Sequence, residues 1–511
     1  MLQHLDHLPD VLDWLKARGV RELVVDSRRV RADAAQAFIA WPGAATDGRA
    51  YVPQALAAGA VACVVEADGV HAHAQALDDP RILAVPGLKR RSAEIAHAFY
   101  GEPSAQLDVV AVTGTNGKTS TSWWTAQALD ALGHTCGVVG TLGVGRAGLA
   151  GFEPTGFTTP DPITLQATFQ RFVGQGLKAA AIEASSIGIE ELRLHATRIA
   201  VAQYTNFTQD HLDYHGSMDA YWQAKLALFE WPGLRAAVVN MDDARGVALA
   251  QTLRERGLPV WTYGLRTDVR LQACDVQHQA HGVLFTLVER DEQHKVLAQA
   301  ELRAPVIGLF NVSNLLAVVG AVRALGHSLP DAVRACAGLH GVPGRMEIVG
   351  RPQANQPLVV VDYAHTPDAL EKALQALQPV AQARAGRLTC VFGCGGNRDP
   401  FKRPLMARVA EQFADVLMLT SDNPRHEAPQ DIVNQMVAGL QAPEVALVEL
   451  DRRQAIVRAV GMAGPQDVVL VAGKGHEPYQ DVAGVQTPFS DVDEAVAALE
   501  GLGARLTGGA A

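Results

Sequence analysis

The sequence predicts an α/β protein whose mostly parallel sheets carry helices on both faces. Short apolar runs alternate with helix-like stretches along the whole chain. This alternation is typical of parallel sheets, whose strands are buried on both sides. With 511 residues the chain is too long for one ordinary core, and we expect about two to four domains.

Turn-rich segments between the apolar runs predict three units. The N-terminal unit covers residues 1–103 and ends in the segment Gly-Glu-Pro-Ser at 101–104. A central unit covers 104–340, and a hinge rich in glycine leads into a C-terminal unit over 341–511. The main apolar runs, each expected to form a strand, lie at 22–25, 60–65, 81–85, 107–112, 135–139, 179–182, 199–204, 236–239, 358–361, 388–392, 416–420 and 468–471.

Composition and charge exclude several classes of protein. The formal net charge of −10 argues against a protein that coats nucleic acid with a basic face. No apolar stretch approaches the roughly 18 residues needed to cross a bilayer, and the N-terminus lacks a signal-peptide layout. Of the 6 cysteines only Cys390 and Cys394 lie close together, which is poor evidence for zinc. We expect a cytoplasmic protein without a nucleic-acid or membrane partner.

A glycine-rich segment follows the apolar run at 107–112. It reads Thr-Gly-Thr-Asn-Gly-Lys-Thr at 113–119 and precedes an amphipathic helix that is expected to reach Leu132. Glycines permit a tight turn that points N–H groups inward, while Lys118 can reach phosphates and Thr119 can ligate Mg²⁺. Val112 stands where the Walker A pattern has its first glycine. An ordinary glycine-rich turn is the alternative, but Gly-Lys-Thr between strand and helix favours nucleotide binding.

Four apolar runs of the C-terminal unit end in polar or glycine-rich clusters. The carboxyl ends of parallel strands meet at one edge of a sheet, which is where ligands bind. Each cluster alone is typical of a solvated loop. Together they bring Arg398, Arg425, Lys474 and Glu477 to the same edge. Arginine binds carboxylates and glutamate accepts from an ammonium, so this edge suits a small zwitterion with more than one acidic group.

The central unit contains residues typical of a metal site. Glu183 and His211 each follow a predicted strand and could hold a divalent ion, although a capping carboxylate and a surface histidine explain them equally well. Lys225 shares a helical face with Tyr221 and Phe229. Such a lysine either extends its ammonium to solvent or is desolvated, which lowers its pKa and permits carbamylation. Spacing alone favours the solvent-exposed ammonium.

Several motifs together resemble the Mur ligases. They occur in the family's order over nearly the whole chain, at 114–119, 158–160, 210–216, 224–225, 362–368 and 473–477. The resemblance implies three domains: an N-terminal α/β UDP-binding unit, a central P-loop-type sheet and a C-terminal Rossmann-like sheet. It also implies a ligase that uses ATP and Mg²⁺ and joins an amino acid to UDP-N-acetylmuramoyl-L-alanyl-D-glutamate through an acyl phosphate, in peptidoglycan precursor synthesis. We expect a monomer.

The resemblance assigns roles to residues around the phosphate loop. Lys225 would be carbamylated and support Mg²⁺, which replaces the expectation from spacing alone. The implied catalytic residues are Lys118, Glu183, His211 and Lys225, and the implied metal ligands are Thr119, Glu183, His211 and carbamylated Lys225. The implied ATP contacts are Gly114, Thr115, Asn116, Gly117, Lys118, Thr119, Ser120, Asn311, Arg345 and Asp362.

The UDP-muramoyl peptide would contact the N-terminal and central units. The implied contacts are Val25, Ser27, Ala44, Ala45, Thr46, Thr158, Thr159, Ser185, Glu191 and Arg193. Three positions depart from the family's pattern, since Phe157 replaces an asparagine, Ile187 a histidine and Glu191 a glutamine. These departures bear on individual contacts to the muramoyl peptide and not on the reaction.

The resemblance implies meso-diaminopimelate as the incoming amino acid. The implied contacts are Arg398, Asp422, Asn423, Pro424, Arg425, Gly473 and Glu477. Lysine-adding members of the family lack the arginine of the Asp-Asn-Pro-Arg segment, and Arg425 with Arg398 can bind the distal carboxylate that lysine does not have. The alternatives are an L-lysine-adding homologue, a folylpolyglutamate-type ligase and a nucleotide-binding regulator without catalysis.

Overall fold

The chain forms two compact units. The computed structural model describes residues 2–43, 46–73, 77–149, 151–265, 269–279, 282–350, 353 and 355–508. The first unit comprises Met1–Leu271 and Ala317–Ala335, and the second comprises Gln272–Leu316 and Cys336–Ala511. The predicted boundary near residue 103 lies inside the first unit, where Pro103 and Ser104 are buried.

The first unit begins with a parallel sheet of five strands. Its elements are β1 (Gln3–His4), α1 (Leu8–Ala17), β2 (Glu22–Val24), β3 (Gln36–Ala40), α2 (Val52–Ala57), β4 (Ala62–Glu66), β5 (Ile82–Val85) and α3 (Leu88–Phe99). The strand order is β1-β5-β4-β3-β2, and every pair is parallel. The strands predicted at 22–25, 60–65 and 81–85 are confirmed, whereas β3 was not among the predictions.

A second sheet of the first unit carries the glycine-rich loop. Its elements are β6 (Asp108–Thr113), α4 (Lys118–Ala131), β7 (Cys136–Gly140), β8 (Gly143–Gly145), α5 (Pro162–Gly174), β9 (Ala179–Glu183), α6 (Ser186–Glu190), β10 (Val201–Tyr204), α7 (Leu212–His215), α8 (Met218–Leu226), β11 (Ala236–Asn240), α9 (Ala244–Glu255) and β12 (Val260–Gly264). The order is β12-β11-β10-β6-β9-β7-β8, and only β7 and β8 pair antiparallel. The five strands predicted here are confirmed.

Helix α4 is buried on most of its surface, so the predicted amphipathic character is wrong. The helix packs on β6, β7 and β9. Trp123 stacks on Phe152 of the loop that follows β8, with ring centroids 4.9 Å apart. Small polar side chains of the helix, such as Thr121 and Ser122, are buried as well.

The second unit contains antiparallel strands and a mostly parallel sheet. Its elements are β13 (Leu271–Gln279), β14 (Gly282–Arg290), β15 (Val296–Ala304), α10 (Leu309–Ala324), α11 (Leu329–Ala337), β16 (Glu347–Ile348), β17 (Leu358–Asp362), α12 (Pro367–Ala383), β18 (Leu388–Phe392), α13 (Lys402–Phe413), β19 (Val416–Leu419), α14 (Pro429–Val437), β20 (Leu447–Val448), α15 (Arg452–Met462), β21 (Val468–Ala472), β22 (Tyr479–Val482), β23 (Val485–Pro488) and α16 (Asp491–Gly508). Parts of β13, α10 and α11 belong to the first unit. The parallel sheet has the order β16-β17-β21-β18-β19-β20, with β16 antiparallel.

Helices cover both faces of this parallel sheet. Leu358 and Val360 of β17 pack in one core with α12, α13 and α14. Val359 and Val361 point to the opposite face and pack in a second core with α15 and α16. The predicted parallel sheet with helices on both sides is therefore confirmed. In the part of the chain that the structure describes, no helix is long and apolar enough to cross a bilayer.

The carboxyl ends of four strands lie level in the register of this sheet. Asp362 and Phe392 both pair with Ala472, and Phe392 also pairs with Leu419. The loops at 362–366, 393–398, 420–426 and 472–477 therefore begin at one edge, which we call the strand-end edge. This is the arrangement that the polar clusters predict.

A buried ion pair supports the strand-end edge from below. Arg452 of α15 donates to both carboxylate oxygens of Asp491 at 2.7 Å, and neither side chain has any exposed surface. Arg452 also donates to the carbonyl oxygens of Ser421 at 3.1 Å and Ala472 at 2.9 Å. One guanidinium thus ties together the ends of β19 and β21 and the first residue of α16.

We expect the Asp491→Ala variant to lose about 3–5 kcal/mol of unfolding free energy, because it leaves a buried guanidinium unpaired. The neighbouring pair Arg453–Glu494 supplies the control, since Arg453 is 57% exposed. Glu494→Ala should cost less than about 1 kcal/mol. Urea unfolding of the two variants checks the difference, and equal losses would contradict a supporting role for the buried pair.

Candidate active site

The glycine-rich loop joins β6 to α4 and can be built only with glycine at its first turn. Gly114 has a φ of +150°, and a Cβ placed there would lie 1.9 Å from Thr205 Oγ1. Gly117 caps α4 with a φ of +84°. The loop therefore leads directly into a helix N-terminus, which is the arrangement that favours an anionic ligand.

Lys118 lies folded against this loop. Its Nζ donates to the carbonyl oxygens of Gly114 at 2.9 Å and Thr115 at 2.8 Å. The Thr115 hydroxyl lies 3.2 Å from the Tyr221 hydroxyl and donates to the carbonyl oxygen of Thr208. The predicted phosphate-binding lysine is thus held at the loop by main-chain oxygens.

Glu183 ends β9 beside the loop and is brought together with Thr119. Thr119 Oγ1 donates to Glu183 Oε2 at 3.1 Å. Thr141 was not predicted, yet its backbone N–H donates to Glu183 Oε1 at 2.8 Å and its hydroxyl to Oε2 at 3.2 Å. Gly140 permits this approach, since a Cβ there would lie 2.2 Å from Glu183 Oε1. Carboxylate and hydroxyl oxygens are the ligands that Mg²⁺ prefers, so these residues fit that ion.

Lys225 of α8 is buried, so the exposed ammonium that spacing alone favours is wrong. The residue is 1% exposed, and its Nζ donates to the carbonyl oxygen of Gly114 at 2.8 Å. The ammonium also lies 4.4 Å from the centre of the Tyr221 ring. Burial lowers the pKa of Lys225 well below its usual value, and the charge of Lys118 lowers it further. The amine is therefore poised to be neutral.

His211 is the N-cap residue of α7 and has a φ of +49°, and its ring is partly exposed. Burial lowers the pKa of His211, and the positive charges of Lys118 and Lys225 lower it further. In the residues that the structure describes, no group of three or more His, Cys, Asp or Glu side chains is arranged to hold a metal. Of the predicted metal ligands, Thr119 and Glu183 thus share a direct hydrogen bond. His211 lies close enough to Lys118 and Lys225 for their charges to affect its pKa.

Four of the residues predicted for the muramoyl peptide form one cluster beside Glu183: Thr158, Thr159, Ser185 and Arg193. Thr159 Oγ1 lies 2.8 Å from the Glu183 carbonyl oxygen and 2.9 Å from Ser185 Oγ. Arg193 Nη1 donates to the Thr159 carbonyl oxygen at 2.9 Å. Thr158 Oγ1 lies 3.1 Å from the Thr141 hydroxyl. Hydrogen bonds thus connect these residues to the metal-binding candidates.

Two residues that depart from the family's pattern, Phe157 and Glu191, contact other side chains of the protein. The Arg193 guanidinium lies 4.6 Å from the centre of the Phe157 ring, which is 55% exposed. Glu191 accepts from the Tyr214 hydroxyl and from Lys89 Nζ, both at 2.7 Å. The hydrogen bond from Lys89 lowers the pKa of Glu191. Both Glu191 oxygens therefore already have donors within the protein.

The N-terminal contacts are separate from this cluster. Ser27 is buried and its hydroxyl donates to Gln54 Oε1 at 3.1 Å. Val25 is partly buried and Thr46 is exposed. The predicted contacts Ala44 and Ala45 lie outside the described residues.

Three residues predicted to contact ATP lie in the second unit. Asn311 is 3% exposed, donates to the Ile307 carbonyl oxygen and accepts from Asn314. Asp362 accepts from the backbone N–H groups of Met346 and Ala364, at 2.7 and 2.9 Å. Burial raises the pKa of Asp362, and the positive charge of Arg345 opposes that rise. The Arg345 guanidinium lies 4.4 Å from the centre of the Tyr363 ring.

At the strand-end edge the predicted amino-acid contacts are held by loop-to-loop hydrogen bonds. Asn423 Nδ2 donates to Glu477 Oε2 at 2.8 Å. Lys474 was predicted at this edge and lies there, but it is fully buried, and its Nζ donates to Asn423 Oδ1 at 2.9 Å and Glu477 Oε2 at 3.0 Å. Gly473 has a φ of +117°, and a Cβ there would lie 2.7 Å from Asp422 Oδ2. These loops tolerate little additional volume.

Arg425 is held in place by the hairpin of β22 and β23, which was not predicted. Arg425 has a φ of +50°, a conformation that side chains disfavour. Its N–H donates to the Asp481 carbonyl oxygen at 3.0 Å, and its carbonyl oxygen accepts from Ala483 at 2.6 Å. Its Nη1 donates to the Gly396 carbonyl oxygen at 2.8 Å. A Cβ on Gly395 would lie 3.0 Å from Arg425 Nη1 and 3.6 Å from Arg398 Cγ, so the structure brings both predicted arginines to one turn.

Comparisons with known proteins identify the family. Three family models match: the Mur ligase catalytic domain at residues 20–100, the Mur ligase middle domain at 112–322 and the Mur ligase glutamate ligase domain at 344–475. The chain is also 53% identical over 505 residues to the UDP-N-acetylmuramoyl-L-alanyl-D-glutamate–2,6-diaminopimelate ligase of Acidovorax sp. strain JS42, covering 98% of both chains.

The chain belongs to the Mur ligase family. The ligase of the same name from Pseudomonas aeruginosa is 47% identical over 481 residues, covering 94% of this chain and 95% of that one. This Mur ligase is accordingly an ATP-dependent, peptide-forming enzyme, and a regulator without catalysis is excluded.

Solved structures have the same fold. A structure of a UDP-N-acetylmuramoyl-L-alanyl-D-glutamate–2,6-diaminopimelate ligase is 35% identical with a TM-score of 0.67, covering 94% of this Mur ligase and 95% of that chain. A MurF ligase from Thermotoga maritima in complex with ADP is 17% identical with a TM-score of 0.62, covering 96% and 98% of the two chains. The predicted α/β fold with largely parallel sheets is thus confirmed.

We expect the Gly114→Ala variant to bind ATP at least about ten-fold more weakly, because overpacking the first turn costs about 1–3 kcal/mol. Gly174→Ala is the matched control, since a Cβ there meets nothing within 4 Å. Equilibrium binding of a non-hydrolysable ATP analogue measures the difference. Equal affinities for the two variants would show that the turn at Gly114 does not shape the nucleotide site.

Proposed function

We propose that this Mur ligase joins meso-diaminopimelate to the D-glutamate of UDP-N-acetylmuramoyl-L-alanyl-D-glutamate and converts ATP to ADP and phosphate. The product is a peptidoglycan precursor. The choice of amino acid rests on one observation: Arg398 and Arg425 lie at the same turn of the strand-end edge. Glu477 lies at the same edge, where it accepts a hydrogen bond from Asn423. The similarity to two ligases named for 2,6-diaminopimelate, over nearly the full chain, supports the same choice over the alternatives.

The first step is transfer of a phosphoryl group. The γ-carboxylate of the D-glutamate attacks the γ-phosphorus of ATP, the bond to the β-phosphate oxygen breaks, and ADP leaves. Charge builds on the phosphoryl oxygens, so catalysis depends on positioning and on nearby positive charge. We propose that Lys118 supplies this positive charge and that the backbone N–H groups of residues 114–120 bind the phosphates. Asn311, Arg345 and Asp362 are proposed to contact the rest of ATP.

Mg²⁺ fits the oxygen donors at the end of β9. Thr119 Oγ1 and Glu183 Oε2 are 3.1 Å apart, and both atoms are hard oxygen donors of the kind that Mg²⁺ prefers. We propose that Thr119, Glu183, His211 and carbamylated Lys225 hold the ion. When bound, it would neutralise phosphate charge. The contribution of the chain is to aim Glu183, which Thr141 fixes with two hydrogen bonds.

The second step forms the amide bond. The neutral amine of the incoming amino acid attacks the carbonyl carbon of the acyl phosphate, the bond from that carbon to the phosphate oxygen breaks, and phosphate leaves. The amine's proton passes to solvent. We assign the strand-end edge to holding the amino acid, with Glu477 and Asn423 at an ammonium group and Asp422, Pro424 and Gly473 shaping the site.

The remaining assignments follow the three family models. We propose a UDP-muramoyl-binding domain over 1–103, an ATP-binding ligase domain over 104–340 and an amino-acid-binding domain over 341–511. Thr158, Thr159, Ser185 and Arg193 are proposed to contact the muramoyl peptide, with Val25, Ser27, Ala44, Ala45 and Thr46 at its UDP end. Glu191 is proposed to act there through Tyr214. We infer a cytoplasmic location, because ATP is available in that compartment, and we propose that the enzyme acts as a monomer.

With UDP-muramoyl dipeptide, wild-type enzyme is expected to release phosphate from ATP about 10⁴-fold more efficiently with meso-diaminopimelate than with L-lysine. The reason is that lysine lacks the distal carboxylate that the arginines would bind. Arg425→Ala should lower kcat/KM for diaminopimelate about 100-fold, with little change in the KM for ATP. Arg408→Ala, an exposed arginine of α13, is the control. A preference for lysine or folate in the wild type would overturn the proposed substrate.

Lys225 is expected to carry a carbamate. Its lowered pKa leaves the amine neutral at a lower pH than an ordinary lysine, so it can add CO₂ and lose a proton near neutrality. With ¹³C-bicarbonate, NMR should show a carbamate carbon in wild type and in the exposed-site control Lys178→Met, but not in Lys225→Met. The signal and the activity should fall together as the pH decreases through the lowered pKa. An unchanged signal in Lys225→Met would exclude the assignment.

A further inference from the structure

Lys474 lies wholly inside the second unit at the strand-end edge. The residue has no exposed surface, although it follows β21 in a loop. Its ammonium donates to Asn423 Oδ1 and to Glu477 Oε2, at 2.9 and 3.0 Å. Asn423 closes a triangle by donating from Nδ2 to the same Glu477 oxygen, at 2.8 Å. A buried lysine is costly unless its charge is paired and hydrogen-bonded, and here one carboxylate provides the pairing.

The triangle leaves one carboxylate oxygen of Glu477 available. Oε2 accepts from both Lys474 and Asn423, whereas Oε1 accepts from no group in the described part of the chain. The Glu477 side chain is 22% exposed, so this oxygen has access to a ligand. The other oxygen of the triangle, Asn423 Oδ1, also accepts from the N–H of Asp481 at 3.0 Å. The buried ammonium of Lys474 therefore bonds directly to Asn423 and Glu477, and Asn423 bonds in turn to the hairpin.

We propose that Lys474 is a positioning residue for amino-acid binding: its ammonium orients Asn423 and Glu477 so that Glu477 Oε1 receives an ammonium group of the substrate. This inference rests on the proposed function of the strand-end edge. Without the Lys474 charge, the Glu477 carboxylate loses its ion-pair partner, and the Asn423 amide loses the donor that fixes its orientation. Lys474 itself does not touch the substrate.

Lys474→Gln removes the charge and retains a hydrogen-bond donor, so the fold should survive. We expect the KM for diaminopimelate to rise at least about ten-fold, because a charge-assisted contact loses its geometry. The KM values for ATP and for the UDP-muramoyl dipeptide should stay within about two-fold, since those ligands use other residues. Lys372→Gln is the control, because Lys372 pairs with Asp368 on the exposed face of α12 and is 45% exposed. A parallel rise in all three KM values would indicate a merely structural role and overturn the proposal.

A double-mutant cycle separates positioning from independent binding. If Lys474 acts through Glu477, the double variant of Lys474→Gln and Glu477→Gln should have the same KM for the amino acid as Glu477→Gln alone. Additive effects would overturn the proposal.

Failure of the proposed function gives a different result. Wild type would then be inactive with diaminopimelate, and the same cycle would be measured with the amino acid that wild type does use. Should Lys474→Gln fail to fold, Lys474→Met is measured in its place, because its unbranched side chain fills the same volume. A selective and non-additive loss in either variant supports positioning, and its absence in a folded variant contradicts it.

Discussion

One backbone carbonyl, that of Gly114, organises the first unit's active-site candidates. It accepts hydrogen bonds from Lys118 at 2.9 Å and from Lys225 at 2.8 Å. Burial lowers the pKa of Lys225, and the positive charge of Lys118 at the same oxygen lowers it further. The carbonyl can reach both lysines only because Gly114 adopts a φ of +150° beside Thr205. The turn at Gly114 thus brings Lys118 close to the buried amine of Lys225.

The second unit uses buried cations in a comparable way. Arg452 holds the ends of two strands, and Arg403 donates to Glu427 and to the Gly395 carbonyl oxygen. Lys474 ties two further loops together. In each case a cation with no more than 1% exposure bonds loop atoms instead of a ligand. Arg425 is partly exposed and Arg398 is exposed, and these are the two arginines proposed to bind an anionic substrate.

The sequence predicts the parallel strands well, because strands buried on both faces are continuous apolar runs. It misses β3, which begins with Gln36, and the strands β13, β14 and β15, of which β14 and β15 pair antiparallel. In β13 and β15 more buried and more exposed residues alternate. The hairpin of β22 and β23 is polar and exposed, so nothing in its composition indicates a strand. Thr141 could have been found by the same strand-end rule that finds Glu183, since it follows an apolar run.

Burial of single side chains could not be predicted. The position of Lys474 after a strand does not indicate its burial, because its partner Asn423 lies 51 residues away in the chain. Lys225 sits on an apolar helical face, where solvent exposure and burial have the same sequence pattern. The resemblance to the family, and not the spacing, indicated the buried state that the structure shows. Contacts between distant segments decide such cases.

The proposed reaction depends on an acyl phosphate intermediate, and an oxygen-transfer measurement tests for that intermediate most directly. UDP-muramoyl dipeptide labelled with ¹⁸O in the D-glutamate γ-carboxylate is turned over with ATP and the amino acid, and the released phosphate is analysed by mass spectrometry. The account predicts one ¹⁸O atom in each phosphate, because the carboxylate oxygen bonded to phosphorus leaves with it. Phosphate without ¹⁸O, at the same yield of peptide product, would contradict the account.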